Sequence, residues 1–198
     1  MEKDRIEKLT QEEMDAILYD AREGDLDTIK EIFSEIPASM LMNIKDDITL
    51  STTLHMAAGN GHLELVRFLF SILDTDDAKV LASCLNESGN TALHWASYNG
   101  HLDVVKLLCN EFDVDPFVKN KVGHDAVYEA ESNNKEDVSE WLLQTFALED
   151  QVNITEDEEN TKITYTPGTE SKETEKEVAN LANPKGIVED TESLSLNK

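Results

Sequence analysis

Residues 90–105 read NTALHWASYNGHLDVV, and residues 51–66 read STTLHMAAGNGHLELV. With a shift of 39, the stretches 51–70 and 90–109 agree at ten of twenty positions, among them Thr52/Thr91, Leu54/Leu93, His55/His94, Gly61/Gly100, His62/His101 and Leu69/Leu108. Four histidines that could pass for ligands are thus, first of all, one piece of architecture written twice. Two weaker copies flank the pair. DAREGDLDTIKEIF places Ala21, Gly24, Leu26 and Ile29 where Ala58, Gly61, Leu63 and Val66 stand 37 residues later. GHDAVYEAESNNKEDVSEWLL sets Gly123 and Ala130 34 residues beyond Gly89 and Ala96. Periods of this size belong to stacked repeats.

Each unit has the same internal order. A threonine precedes a short apolar stretch, where its hydroxyl can accept from the free N–H groups of a first helical turn. A helix of about two turns follows, and Gly61 or Gly100 ends it in the left-handed conformation. Leu63, Val66 and Leu69, or Leu102, Val105 and Leu108, then share one face of a second helix. VDPF (114–117) supplies a turn. Helices this short and one-sided bury their apolar faces only by stacking on neighbours. Extra residues after Phe33 (SEIPASMLMNIK) and after Phe70 (SILDTDDAKVLASCLNE) predict a lengthened second helix or an added helical turn.

The charge is extreme: 42 acidic residues face 17 basic ones, a formal net charge of −25. Such a chain repels itself and phosphate backbones and is drawn to basic partners. Direct nucleic-acid or membrane binding is therefore not expected, and the self-repulsion argues for a monomer. MEKDRIEKLTQEEMDAIL at the start lacks the apolar run of a signal peptide, and no stretch reaches the length of a membrane span. Cys84 and Cys109 lack CxxC spacing and read as reduced, buried, inert thiols. The sequon at Asn153 then has no secretory context. A cytoplasmic and nuclear location is expected.

Composition changes near residue 148. Beyond it acidic residues, Thr, Ser and Asn dominate, and too little apolar area is present to offset an ordering entropy of about 1–2 kcal/mol per residue. A disordered acidic tail is expected over 149–198, with a marginal short helix around TEKEVANLA (174–182).

No catalytic residues are assigned. A Ser-His-Asp set, a phosphate-cradling glycine loop and a metal signature are all missing from the sequence, so an enzyme is not expected, and neither a cofactor nor a metal. His94 and His101 lie seven apart across a glycine break, on different helices, unlike a zinc pair at i, i+4. Asp113 and Asp115 sit in the repeat's turn, where aspartate caps local backbone.

Thr91, Leu93, His94, Ala96, Gly100, His101, Val104, Val105, Leu107 and Leu108 match the pattern T-P-L-H-x-A…G-H-x-x-V-V-x-x-L-L, and the chain resembles the ankyrin-repeat family on these residues. Thr53 stands where the second copy would carry proline. The resemblance implies an all-α solenoid over 10–148 of about four helix-turn-helix repeats, two typical and two degenerate caps. It implies scaffold roles for the histidines: the first of each pair bonds to the threonine hydroxyl and to backbone at the next junction, while the second begins helix two.

It also implies that function sits on the variable hairpin tips and first-helix ends that line the concave face. By alignment these are Arg22, Glu23, Asp46, Asp47, Asn60, Glu87, Ser88, Asn90, Tyr98, Asn99, Lys121, His124 and Glu131, with Ser51, Gly59 and Ser132 beside them. Acidic groups with one tyrosine suit a basic amphipathic segment. Trp95, at a leucine position of the pattern, reads as mostly core, and Trp141 as a cover for the terminal face. Within the family, the order DAREGDLDTIKEIF, TALHWASYNGHLDVVKLLC, DPFVKNKVGHDAVYEAE, then an acidic tail, resembles an ankyrin-repeat chaperone of a KH-domain ribosomal protein of the small subunit, S-three. This implies a non-catalytic partner that keeps a basic ribosomal protein soluble and shields it from RNA, gripping an N-terminal helical segment. The alternative is a generic ankyrin adaptor or inhibitor of a signalling or transcription protein.

Overall fold

The computed structural model describes residues 8–146, 152–157 and 160–165. The chain divides into two units, Met1–Phe146 and Ala147–Lys198.

In the first unit, four antiparallel helix pairs stack in order: α1 (Gln11–Glu23) with α2 (Leu26–Glu35), α3 (Thr53–Gly59) with α4 (Leu63–Ser71), α6 (Ala92–Asn99) with α7 (Leu102–Phe112), and α8 (Ala126–Ser132) with α9 (Glu136–Phe146). The inner helices α1, α3, α6 and α8 pack side by side, and the outer helices α4, α7 and α9 do the same. This is the all-helical repeat stack the periodicity implies. Its core runs through every unit, with Ala21, Ile29, Leu54, Val66, Leu69, Ala96, Val105 and Leu142 at 0% exposure.

Local signals place the helix ends. Thr52 and Thr91 each form a capping box in which the histidine three residues on replaces the usual acid. Asp25 and Asp125 cap α2 and α8 through backbone N–H groups of Thr28 and Tyr128. Gly24, Gly61 and Gly100 turn each pair at φ of 77°, 77° and 84°. In the last unit Asn134 takes that place at φ 56°, a residue type that tolerates the left-handed region.

The second insertion does not lengthen α4. That helix stops at Ser71, and a separate helix, α5 (Thr75–Ala82), starts at Asp74, whose carboxylate accepts from the Asp76 and Asp77 N–H groups. Its Leu81 and Ala82 are buried, against α7 and the first insertion. The first insertion forms the expected added turn, a 3-10 helix at Ala38–Asn43 with Leu41 inside.

The second unit holds β1 (Val152–Asp157) and β2 (Asn160–Tyr165), paired antiparallel with Val152 opposite Tyr165 and Ile154 opposite Ile163. The sequence predicts no strand within the acidic tail 149–198, where these two lie. These twelve residues differ because β-formers alternate along both strands about a two-residue connection. The remainder of the tail, including the helix expected at 174–182, lies outside the described residues.

Candidate partner-binding groove

The histidines of the opening motif are built into the frame. Thr52 N–H donates to His55 Nδ1 at 3.2 Å, and the His55 Nε2–H donates to the Asn90 carbonyl of the next unit at 2.9 Å. His94 repeats this with Thr91 and the carbonyl of His124, at 3.1 and 3.2 Å. The second histidines do more than begin a helix. His62 Nε2–H reaches back to the Arg22 carbonyl at 2.7 Å, and His101 Nε2–H to that of Gly59 at 3.1 Å. Their rings cover the turn glycines of the preceding unit: a Cβ on Gly24 would run into His62, and one on Gly61 would meet His101 at 2.5 Å. Each histidine thus clamps one unit to the next.

Three hairpin tips project beside the inner helices, each closed by an Asx side chain. Asp46 Oδ1 accepts from the Ile48 and Thr49 N–H groups, Asn86 Oδ1 from Ser88 and Asn90, and Asn120 Oδ1 from Val122 and His124. The Thr49 N–H holds the Asp46 carboxyl below its ordinary range. Between the last two tips and α6 and α8 lies a groove of about 750 Å³.

Of the residues singled out from sequence, Glu87, Ser88, Asn90, Tyr98, Asn99 and Lys121 line that groove. Lys121 Nζ pairs with Glu87 at 3.0 Å, and Asn99 Nδ2–H clamps the Gly59 carbonyl at 2.6 Å. Arg22, Glu23, Asp47 and Asn60 are exposed on the first two units, outside this groove. Asp46 spends its carboxylate on its own turn. His124 is half-buried, its ring tilted against that of Tyr128 with centroids 3.8 Å apart, and it donates to Glu129 at 3.2 Å. Glu131 and Ser132 are exposed beyond the groove lining. Ser51 and Gly59 are buried, so neither presents a surface.

The face is also more apolar than an acidic surface with one tyrosine. Tyr19, Tyr98 and Tyr128 are 63%, 50% and 47% exposed, and the tips carry Ile48 at 78% and Val122 at 72%. Trp95 is half-buried and lines the groove, so it is not simply core. Repeat alignment holds the signal that finds it. Tyr19, Met56, Trp95 and Glu129 are equivalent across the four units, and Trp95 and Glu129 of this column line the groove. Trp141 packs back toward its neighbour, edge-on to Phe146 at 5.9 Å with Lys106 Nζ 5.8 Å from its ring.

Burial pushes the Cys109 thiol up to about 12, with Asp115 adding to the effect, and also raises Cys84. Thiols held protonated in this way are poor nucleophiles. Among the described residues no group of three or more His, Cys, Asp or Glu could hold a metal ion, and no helix is long and apolar enough to cross a membrane.

Comparison with known proteins matches this geometry. Residues 14–120 match the family of ankyrin repeats in three copies. The chain is 43% identical over 199 residues to the ankyrin repeat-containing protein YAR1 of Saccharomyces cerevisiae, covering 97% of each chain. A chain in the crystal structure of the yeast ribosomal protein Rps3 in complex with its chaperone Yar1 superposes with a TM-score of 0.69 at 46% identity, covering 76% of this chain and 100% of that one. The repeat register, the histidine clamps and these likenesses agree: the chain belongs to the ankyrin-repeat family.

Proposed function

We propose that the chain is a non-catalytic chaperone of the small-subunit ribosomal protein of the Rps3 type, holding it soluble and away from RNA before assembly, in cytoplasm and nucleus. The observation that carries this is the likeness, along nearly the whole of both chains, to YAR1, described in the solved complex as the chaperone of Rps3. A likeness confined to the repeats would support only a fold.

The groove supplies a mechanism. Exposed Tyr98 and Val122 and half-buried Trp95 offer rigid apolar contacts at low entropic cost, suited to one face of an amphipathic helix. Carboxylates around them meet the cationic face. A net charge of −25 draws a basic client from a distance and competes with phosphate for its lysines and arginines. Long-range attraction of this kind is screened by salt.

Titrating purified Rps3 at low and moderate ionic strength tests the reading. Association slows and affinity falls as salt rises. Affinity indifferent to salt, or recovery of signalling components instead of the ribosomal protein from cells, contradicts it and favours the adaptor.

A further inference from the structure

One inner-helix position changes character along the stack. Tyr19, Met56 and Trp95 are apolar or aromatic, whereas the last unit carries Glu129 in the same place. Its side chain is only 14% exposed, and it lines the groove with Trp95, Tyr98 and Val122. A carboxylate so poorly hydrated needs partners. Oε1 has two, since Asn120 Nδ2–H donates at 3.1 Å and His124 Nδ1–H at 3.2 Å. Oε2 accepts no hydrogen bond from the described residues. Among those residues, the side-chain atoms both sealed from solvent and unpartnered are Ser51 Oγ, Thr53 Oγ1 and Ser97 Oγ. The free oxygen of Glu129 therefore opens to the groove.

Aromatic surface stands beside it. The Trp95 ring rests on Gly59, where an added Cβ would lie 2.9 Å from Cε3, and edge-on to His55 at 6.0 Å. Held on those sides, the indole presents its remaining surface to the groove. Tyr98 lies three residues on, half of it exposed. The nearby Lys121 is already paired with Glu87 and does not occupy Glu129.

The geometry points to a guanidinium subsite: one arginine of the guest enters the groove, donates to Glu129 Oε2 and lies against the Trp95 and Tyr98 rings. Arginine fits where lysine does not. A planar, weakly hydrated cation stacks on aromatic faces and keeps several donors for a carboxylate, while an ammonium loses more hydration for one point contact. The guest's identity rests on the chaperone reading; the subsite itself rests on the groove.

The test is a coupling measurement with purified Rps3. Glu129→Gln keeps an oxygen for Asn120 and His124 but removes the charge. Affinity is expected to fall tenfold or more with the melting temperature preserved. Among single Arg→Lys variants of the guest, one loses affinity with the native chain and loses none further against E129Q. Tyr98→Ala, at an exposed position, shows the same coupling should E129Q fold poorly. Native-like affinity of E129Q, or equal losses for every arginine variant in both backgrounds, overturns the subsite. If the native chain fails to bind Rps3 at all, the chaperone reading falls. N-acetylargininamide then decides: it shifts the Trp95 indole N–H resonance in the native chain but not in E129Q, and N-acetyllysinamide does not. No shift in the native chain overturns the proposal.

Discussion

Acidification should weaken the repeat stack, and His55 sets the scale. Its ring is 0% exposed. Nδ1 accepts from the Thr52 N–H and hydroxyl, at 3.2 and 2.9 Å, and Nε2–H donates to Asn90 at 2.9 Å. The neutral ring is fully satisfied, so a proton on Nδ1 would evict the Thr52 N–H and bury a charge. Burial lowers the pKa from 6.5 to about 4, the Asn90 bond opposing and His94 assisting. The unfolded chain thus takes up this proton near pH 6.5 and the folded chain only near 4. Stability is fully present above 6.5 and drains away as pH falls toward 4. At about 1.4 kcal/mol per pK unit, the complete loss is roughly 3 kcal/mol, about half of it by pH 5.5. His94 and His101, also lowered chiefly by burial, act in the same direction. Asp25 and Asp46, held low by backbone N–H groups, contribute only at more acid pH. Guanidinium unfolding followed by tryptophan fluorescence should show the midpoint falling from about pH 7.5 to about pH 5.5. A midpoint that holds or rises would refute the buried neutral ring, as would a charged His55 resonance in the folded protein at the lower pH.

Ser97→Ala should stabilise the fold by about 1 kcal/mol, because it removes a buried hydroxyl without a partner, and Ala58 already fills the matching place at 0% exposure; a lowered melting temperature would contradict it. Thr53→Pro should add about 0.5–1 kcal/mol, since Thr53 opens α3 after Thr52 at ψ 170° and its hydroxyl is also unpartnered. Gly61→Ala should cost about 2–3 kcal/mol in chemical unfolding, combining left-handed strain with displacement of the His101 ring from its bond to Gly59. Tyr98→Ala should leave the melting temperature unchanged and weaken client binding severalfold in calorimetry; unchanged affinity would remove Tyr98 from the interface.

Much of this was legible because repeat residues are tied to backbone geometry. Thr91, His94 and Gly100 each satisfy a capping or turning requirement, so spacing alone locates them. The His62 and His101 clamps were harder to read, since their partners are backbone carbonyls of the preceding unit and carry no side-chain signature. Helix α5 is hard to read as a separate element although Asp74 announces it, because the insertion interrupts the repeat period. The repeat pattern, with leucine at the position of Trp95, predicts a mostly core residue there. The Trp95 ring lies on Gly59 of the preceding unit and still lines the groove, a fact that needs two units in register. The groove's chemistry lies in variable positions, where no repeat rule applies and only packing tells which side chains meet.

Hydrogen exchange of the full chain with and without Rps3 tests the central claim most directly. The account predicts added protection in α6, α8 and the hairpin tips at 86–90 and 120–124, with the outer helices α4 and α7 unchanged. Protection confined to the outer helices, or none anywhere, would contradict it.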